Sequence, residues 1–206
     1  MNKKAGIYYN KQFNTLLVKF SEKLVSETIF KKSENAAILK TAEEIVGINF
    51  FDLDASKIPS GWVSHDPETI KTVNQKLTSL KLPLLSPEPQ MTVAKIVSAE
   101  PIEGTHLKKC QINNGNHLLQ VVCGAENAAA GQIVVLASIG SWMPSGQQII
   151  AGKLKGIESN GMLCSARELG IIDPGMNSVG IIVLDKNWEP RLGQDFMKVR
   201  LENEKK

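Results

Sequence analysis

The sequence is poor in the residues that build covalent or metal-centred sites. It has three histidines and three cysteines, Cys110, Cys123 and Cys164, and none of them falls in a C-x-x-C pair or at metal-ligand spacing. An odd cysteine count argues against a disulfide framework, so we expect all three to be small buried apolar residues. The sequence therefore predicts no metal, no cofactor and no disulfide.

Long apolar runs and a strong net charge are also missing. No run of ~18 apolar residues is present, and the first residues lack the apolar stretch of a signal peptide, so we expect a cytoplasmic protein with no membrane partner. A net charge of +3 over 206 residues is too small to indicate nucleic-acid binding by itself. The charge is uneven, however, with five basic and two acidic residues between Gly104 and Arg167 and most of the later acids beyond them. A barrel with one basic and one acidic side would fit this pattern.

The first half, residues 1–88, reads as a small α+β domain. Strand-like segments at 8–9, 15–20, 36–39 and 45–51 are separated by polar turns. Asp66 is a good helix N-cap, Pro67 suits the first helical position, and apolar residues from Ile70 to Leu80 recur at spacings of three and four. This half shows no recognisable chemistry, so a catalytic site within it is our least favoured hypothesis.

Three prolines between Lys81 and Pro89 mark a domain boundary, because proline stops helices and stiffens extended chain. The second domain, residues 89–200, is followed by a charged tail at 201–206. Strands are predicted at 92–97, 107–112, 117–123, 133–137, 161–165 and 181–184, and the turn at 113–116 is rich in residues that tolerate positive φ. Short strands with glycine turns and no long helix indicate a small β-barrel or sandwich.

Two segments of the second half have polar groups at suggestive spacing. In the first, an apolar strand from Gln120 runs into Gly124-Ala125 and then Asn127, which suits either a ligand contact or a simple strand-ending turn. In the second, Lys153 and Lys155 alternate with a leucine, so both are expected on one face of an extended segment. The residues that follow can form hydrogen bonds to bases or ribose, and one of them is a flexible apolar group; they are Ser159, Asn160, Met162 and Ser165. The alternative is that this segment is a polar loop leading to a buried strand.

The third segment is Cys164-Ser165-Ala166-Arg167-Glu168-Leu169-Gly170. A nucleophilic cysteine or serine needs a base and an orienting partner, and no histidine is suitably placed in the sequence, so we predict no enzyme activity. Arg167 suits a phosphate contact or a surface ion pair. Trp142 is the one stacking candidate before the late loop, which makes base stacking a minor contribution.

Residues 91–200 resemble the tRNA-binding domain of the bacterial phenylalanyl-tRNA synthetase β subunit and of EMAP II type proteins, and the whole chain resembles the YtpR family. The resemblance is carried by 120–127, 153–165 and 168–170, which occur in the same order and spacing. It implies an OB-fold barrel that grips structured tRNA by shape and backbone contacts. One departure is Thr105-His106-Leu107, where the family has an acid, a lysine and a leucine.

On this basis we expect an α+β domain followed by an all-β OB-fold barrel, with tRNA and an aminoacyl-tRNA synthetase as partners and a monomeric or homodimeric state. The open alternative is a dimeric protein-interaction or chaperone-like OB module, with a dimer seam in the acidic, apolar segment 170–196. The residues expected to contact tRNA are Lys153, Lys155, Ser159, Asn160, Met162, Ser165, Arg167, Lys108, Lys109 and Asn127.

Overall fold

The computed structural model describes residues 4–54, 58–86, 88–173, 175–176 and 179–204, and the protein is mostly β with few helices. The chain forms two compact units. The first ends at Glu88 and also includes Trp142–Gln148, and the second comprises Pro89–Ser141 and the chain from Ile149 onward. The chain therefore leaves the second unit for seven residues and returns to it, which the position of the proline-rich boundary alone did not predict.

The first unit is built on an antiparallel sheet of six strands. The strands are β1 Gly6–Asn10, β2 Thr15–Lys19, β3 Glu27–Lys31, β4 Ala36–Lys40, β5 Ile45–Phe51 and β6 Gly61–Trp62. They lie in the order β3-β4-β5-β2-β1-β6, and alternation of apolar and polar residues places one face of β1, β2 and β5 in the core. Strands β3 and β6 were not among the predicted segments.

Helix α1, Pro67–Ser79, packs on this sheet and begins where its sequence signals indicate. The Asp66 carboxylate accepts a hydrogen bond from the Thr69 backbone N–H at 2.8 Å, and Pro67 occupies the first turn, where its missing N–H costs nothing. Val73 and Leu77 are fully buried against the core residues of the sheet. The apolar spacing of the helix thus fixes which of its faces meets the sheet.

The segment Trp142–Gln148 is held in the first unit by polar side chains of β1 and β2. The Tyr8 hydroxyl donates to the Met143 carbonyl at 2.7 Å, and the Lys19 ammonium donates to the Gly146 carbonyl at 2.9 Å. The same ammonium lies 5.0 Å from the centroid of the Trp142 ring, a cation–π distance. Trp142 is fully buried, so the expectation that it offers a stacking surface is wrong.

The second unit contains a five-stranded antiparallel sheet, a short sixth strand and a separate hairpin. The strands are β7 Met91–Pro101, β8 Lys108–Asn113, β9 Leu118–Cys123, β10 Ile133–Ser138, β11 Gly152–Leu154, β12 Ile157–Ser159, β13 Gly161–Leu163 and β14 Val183–Leu184. The sheet has the order β13-β10-β7-β8-β9 with β14 paired to β10, and β11 pairs with β12 as the hairpin. A register shift within β7, between Ile96 and Ser98, lets this long strand pair with β10 along its first half and with β8 along its second.

The sheet is a nearly closed barrel because its two edge strands come together. The Asn160 N–H donates to the Gln120 carbonyl of β9 at 2.8 Å, just before β13 begins. This contact between β9 and the chain that enters β13 is the seam of the barrel. Gly161 lets β13 lie close to its other neighbour, β10, since a Cβ there would lie 3.0 Å from the Ala137 carbonyl oxygen. The interior is filled by alternate residues of the five strands, among them Ala94, Ile96, Cys110, Ile112, Val121, Val134, Leu136 and Leu163.

The second unit is not all-β, because a nine-residue helix, α2, runs from Phe196 to Glu204. The Asp195 carboxylate accepts from the Lys198 N–H at 3.2 Å, and Phe196 is fully buried. The preceding turn is tied to β7, since the Gly193 N–H donates to the Val93 carbonyl at 2.9 Å. Across the described part of the chain, neither helix has the length and apolar character needed to cross a bilayer.

Candidate functional site

The hairpin formed by β11 and β12 is exposed and carries two lysines. Lys153 pairs with Glu158 across the hairpin, with 3.7 Å between the ammonium nitrogen and a carboxylate oxygen. Lys155 and Gly156 form its turn with φ of +51° and +80°, which corresponds to a two-residue turn with both residues left-handed. The prediction that Lys153 and Lys155 share one face of an extended segment is therefore wrong, because Lys155 belongs to the turn.

The base of the hairpin is fixed to the edge of β9. The Gln120 side-chain amide donates to the Glu158 carbonyl at 2.7 Å. Ser159 is 5% exposed, and its hydroxyl accepts from the Val122 N–H at 3.1 Å and donates to the Gly161 carbonyl at 3.2 Å. The one hydroxyl proton of Ser159 is thus committed inside the protein, and the residue joins the hairpin to the barrel seam.

The outer face of β8 beside this hairpin is polar, whereas β9 adds Gln120 between two apolar residues. In β8, Lys109, Gln111 and Asn113 alternate with the buried Cys110 and Ile112. Gln111 lies opposite Gln120 of β9, with 3.5 Å between the two side-chain amides. Sequence reasoning selected Lys109 from this face but missed the two glutamines, although the period-two alternation of β8 would have found Gln111.

Lys109 and Lys108 are adjacent in sequence but have different environments. The Lys109 ammonium lies 2.8 Å from a Glu100 carboxylate oxygen on the neighbouring strand β7. The Lys108 ammonium instead donates to the Glu126 carbonyl at 2.8 Å and to the Ala128 carbonyl at 2.7 Å. Lys108 therefore holds the loop that follows β9, and two of the three N–H donors of its ammonium group are used there.

Asn127 in that same loop makes a paired contact with the chain before β14. Its side-chain amide donates to the Ile181 carbonyl at 2.9 Å, and its oxygen accepts from the Ile181 N–H at 3.0 Å. Gly180 is tied to this contact, since a Cβ there would come within 2.3 Å of the Asn127 oxygen. Asn127 thus satisfies both groups of one backbone residue and fixes a second loop at the end of the barrel.

Ser165 and Glu168 form a reciprocal cap after β13. The Glu168 carboxylate accepts from the Ser165 N–H and hydroxyl at 2.7 Å each, and the Glu168 N–H donates to the Ser165 hydroxyl oxygen at 3.2 Å. Arg167 is exposed between them and has no ion pair with any residue that the structure describes. Of this third motif, Arg167 is the side chain that remains available to an external anion.

The predicted residues therefore fall into two groups. Lys153, Lys155, Ser159 and Asn160 belong to the hairpin and its base, beside the outer face that carries Lys109. Met162 is half-buried on β13; its neighbour Leu163 points into the core, so Met162 is on the outer side of the barrel. The second group surrounds the chain segments after β9 and β13 and comprises Lys108, Asn127, Ser165 and Arg167.

The three cysteines are free and buried, and their surroundings disfavour the thiolate. Burial raises the pKa of the Cys110 thiol from its ordinary 9.0 to about 11, with the nearby Cys123 as a second cause. Burial and the Glu168 carboxylate raise the pKa of Cys164 as well. Within the described ranges no cluster of three or more histidine, cysteine or acidic side chains is arranged to hold a metal ion.

The barrel coincides with a known domain. Residues 91–191 match the family described as "Putative tRNA binding domain". The "Uncharacterized protein MG449 homolog" of Mycoplasma pneumoniae is 35% identical over 187 residues, which cover 85% of this chain and 77% of that protein. The chain belongs to the YtpR-type family of tRNA-binding-domain proteins. A second relative, the "Uncharacterized protein MG449" of Mycoplasma genitalium, is 32% identical over 188 residues, which cover 85% of this chain and 80% of that protein.

The YtpR-type chain is also similar to part of a synthetase. The "Phenylalanine--tRNA ligase beta subunit" of Lactobacillus johnsonii is 35% identical over 155 residues. This match covers 73% of the present chain but only 18% of that subunit, so the chain corresponds to a small part of the synthetase subunit. The matches to the tRNA-binding domain family and to the MG449 homologue support a binding module rather than a catalytic domain.

Proposed function

We propose that the barrel in residues 89–200 is of OB type and binds structured tRNA by shape and backbone contacts. The observation that carries the proposal is an exposed two-lysine hairpin beside a polar outer strand face, within the segment that matches a tRNA-binding domain family. Barrels of OB type bind oligonucleotides on the face of their second and third strands and in the flanking loops. Here those strands are β8 and β9, and the hairpin is part of the loop between the fourth and fifth barrel strands.

The proposed contacts differ in kind. Lys153, Lys155 and Lys109 neutralise phosphates, because their ammonium groups lie at the surface and their carboxylate partners, where present, are exposed and exchangeable. Asn160 and Met162 supply short-range polar and apolar contacts at the hairpin base. Arg167 adds a phosphate contact at the other group of loops. The polar face of β8, together with Gln120 of β9, meets ribose and backbone through its amides.

The remaining predicted residues support the site from inside. The side-chain groups of Ser159, Asn127 and Ser165 are already hydrogen-bonded to backbone or to Glu168, and Lys108 is held by two carbonyls. We propose that these four residues position the loops and that their contribution to affinity is indirect. A synthetase is a fitting partner for such a module, since a bound tRNA would be retained near the enzyme that charges it, in the cytoplasm.

The decisive experiment compares Lys153→Glu/Lys155→Glu with the double variant Lys11→Glu/Lys71→Glu. All four lysines are exposed, and both doubles change the net charge equally, but the second pair lies in the first unit. Binding of a tRNA transcript, measured by fluorescence anisotropy between about 50 and 200 mM salt, is expected to weaken at least tenfold for the hairpin double. The slope of log affinity against log salt should also fall by about 1.5.

Two outcomes of this comparison would contradict tRNA binding by the hairpin, and one would support it. Equal losses in both doubles mean that only overall charge matters, and equally weak binding of tRNA and duplex DNA by the unaltered protein means that tRNA is not the ligand. Either result removes the proposed function. Loss confined to the hairpin double, with duplex DNA bound more weakly than tRNA, supports recognition of folded RNA through this surface.

A second candidate is a protein-interaction or chaperone-like module, favoured by the exposed apolar residues of the C-terminal segment. Ile172 is 98% exposed, and Val179 is also largely exposed. Single exposed apolar side chains are common on protein surfaces, so this candidate requires that the two residues belong to one patch that another protein covers. Binding of an unfolded polypeptide that is lost in Ile172→Ser, with no measurable tRNA affinity, would favour this second candidate.

A further inference from the structure

Strand β3 in the first unit is an edge strand with an unusual degree of exposure. It pairs with β4 only, and no other described strand covers its second edge. Four of its five residues are exposed, and Phe30 is 69% exposed. An edge of this kind, with unpaired backbone groups and an exposed aromatic side chain, is a template for pairing with a further strand.

The charges of this strand are symmetric about its centre. The sequence Glu27-Thr28-Ile29-Phe30-Lys31 has an acid at one end, a base at the other and an isoleucine in the middle. If two such strands run antiparallel with Ile29 opposite Ile29, each Glu27 faces Lys31 of the other copy. We propose that two copies of this chain associate edge to edge through β3, with a two-fold axis at Ile29, which joins the two six-stranded sheets into one.

The other pairs of this register are also favourable. Thr28 of one copy lies opposite Phe30 of the other, and aromatic and β-branched pairs stabilise antiparallel strands. The Lys31 ammonium forms no ion pair among the residues described, so it is available to a carboxylate of the second copy. A Glu27 carboxylate oxygen lies 3.8 Å from the Lys40 ammonium nitrogen of its own sheet. Because a carboxylate can accept several hydrogen bonds, Glu27 can also pair with a lysine of the second copy.

A two-fold interface of this type is isologous, and this determines the test. In the Glu27→Lys variant, the introduced lysine faces Lys31 at both ends of the pair, and in the Lys31→Glu variant, the introduced glutamate faces Glu27 at both ends. When the two variants are mixed, each end again brings a lysine opposite a glutamate. We expect each single variant to dimerise at least about tenfold more weakly than the unaltered full-length chain, and an equimolar mixture to recover most of that loss.

Sedimentation over a wide range of protein concentration measures the dimer association constants of the unaltered chain, the two variants and their mixture. Circular dichroism and thermal unfolding of each variant establish that the fold is intact. Recovery in the mixture is itself a control, because two variants that had merely misfolded would not rescue each other. The assay does not involve RNA, so its outcome is independent of the proposed tRNA binding.

A cysteine at the axis gives a second readout. Antiparallel partners have Cα atoms about 4.5 to 5.5 Å apart, which is within disulfide range, so Ile29→Cys should form a covalent dimer under mild oxidation. Lys11→Cys, an exposed position in the turn after β1, is the matched control and should stay largely monomeric. The three native cysteines are buried and do not compete.

Three results overturn the proposal. The first is a protein that is monomeric at every concentration tested. The second is a dimer whose association constant is the same in both charge variants and in their mixture. The third is a dimer that persists in the β3 variants but dissociates in Ile172→Ser, which assigns the contact to the C-terminal segment instead.

Discussion

Replacing Ser159 by alanine separates a positioning role of this hydroxyl from a direct contact with RNA. The hydroxyl is buried and joins the Val122 N–H of β9 to the Gly161 carbonyl of β13. Alanine keeps the Cβ and creates almost no cavity, so the substitution removes only these two hydrogen bonds. The Val122 N–H is then left without its partner at the seam where the barrel closes.

The expected magnitude follows from that unpaired donor. Leaving one buried polar group unsatisfied costs about 1 to 3 kcal/mol, which is more than the net value of an ordinary hydrogen bond. For a unit of this size we expect the midpoint of thermal unfolding to fall by at least about 4 °C. Affinity for tRNA, measured well below the unfolding transition, should change by less than about threefold, which is under 1 kcal/mol.

Urea unfolding of the second unit is followed through the amide signals of its strands, because the fluorescence of Trp188 overlaps that of Trp62 and Trp142 in the first unit. Hydrogen exchange of the Val122 N–H should accelerate specifically, and Ser98→Ala, at a half-exposed position on β7, should leave both measurements unchanged. The reasoning is refuted if Ser159→Ala unfolds like the unaltered protein and loses tRNA affinity tenfold, because the hydroxyl would then act on the RNA itself.

Three further predictions concern the stability of the barrel unit. Because burial raises the pKa of Cys110 from 9.0 to about 11, the unfolded chain loses this proton first, so stability is fully present below about pH 9 and should fall as the pH rises towards 11. In a urea-unfolding series Cys110→Ala should make this fall less steep, and the part that Cys123 and Cys164 contribute should remain, because burial raises their pKa as well. Ser165→Ala removes the reciprocal cap with Glu168 and should lower the free energy of unfolding by about 1 kcal/mol, whereas no change in the urea midpoint would mean that the cap contributes nothing. Gly161→Val forces side-chain carbon against the Ala137 carbonyl of β10 and should cost about 1 to 3 kcal/mol in thermal unfolding, so an unchanged midpoint would show that β13 can move away from β10 freely.

Elements whose signals are local could be predicted from the sequence. Asp66-Pro67 and the apolar spacing that follows predict helix α1 correctly. The turn at 113–116 between two apolar runs predicts the β8–β9 hairpin, and Gly115 indeed has a φ of +94°. In both cases the residues that decide the backbone conformation lie within a few positions of the element they form.

Features that depend on distant contacts could not be predicted in the same way. Trp142 is buried by Lys19 and its neighbours, more than a hundred residues away in the chain, and no local pattern encodes that meeting. The alternation of Lys153 and Lys155 predicts an extended segment because lysine rarely takes the left-handed turn position that Lys155 occupies, which asparagine, aspartate or glycine usually fills.

The motifs that identify the family say more about the barrel than about its ligand. Asn127, Ser159 and Ser165 are polar residues at suggestive spacing, yet each uses its side chain to hold backbone or a neighbouring carboxylate. A polar residue that closes a loop is as strongly constrained by the fold as one that touches RNA, so spacing alone cannot separate the two roles. By contrast, the ammonium groups of Lys153 and Lys155 have no hydrogen bond to the barrel interior among the residues that the structure describes. Lys153 has one exposed ion pair, with Glu158. Substituting the first group should therefore change stability before affinity, and substituting the lysines should change affinity without changing stability.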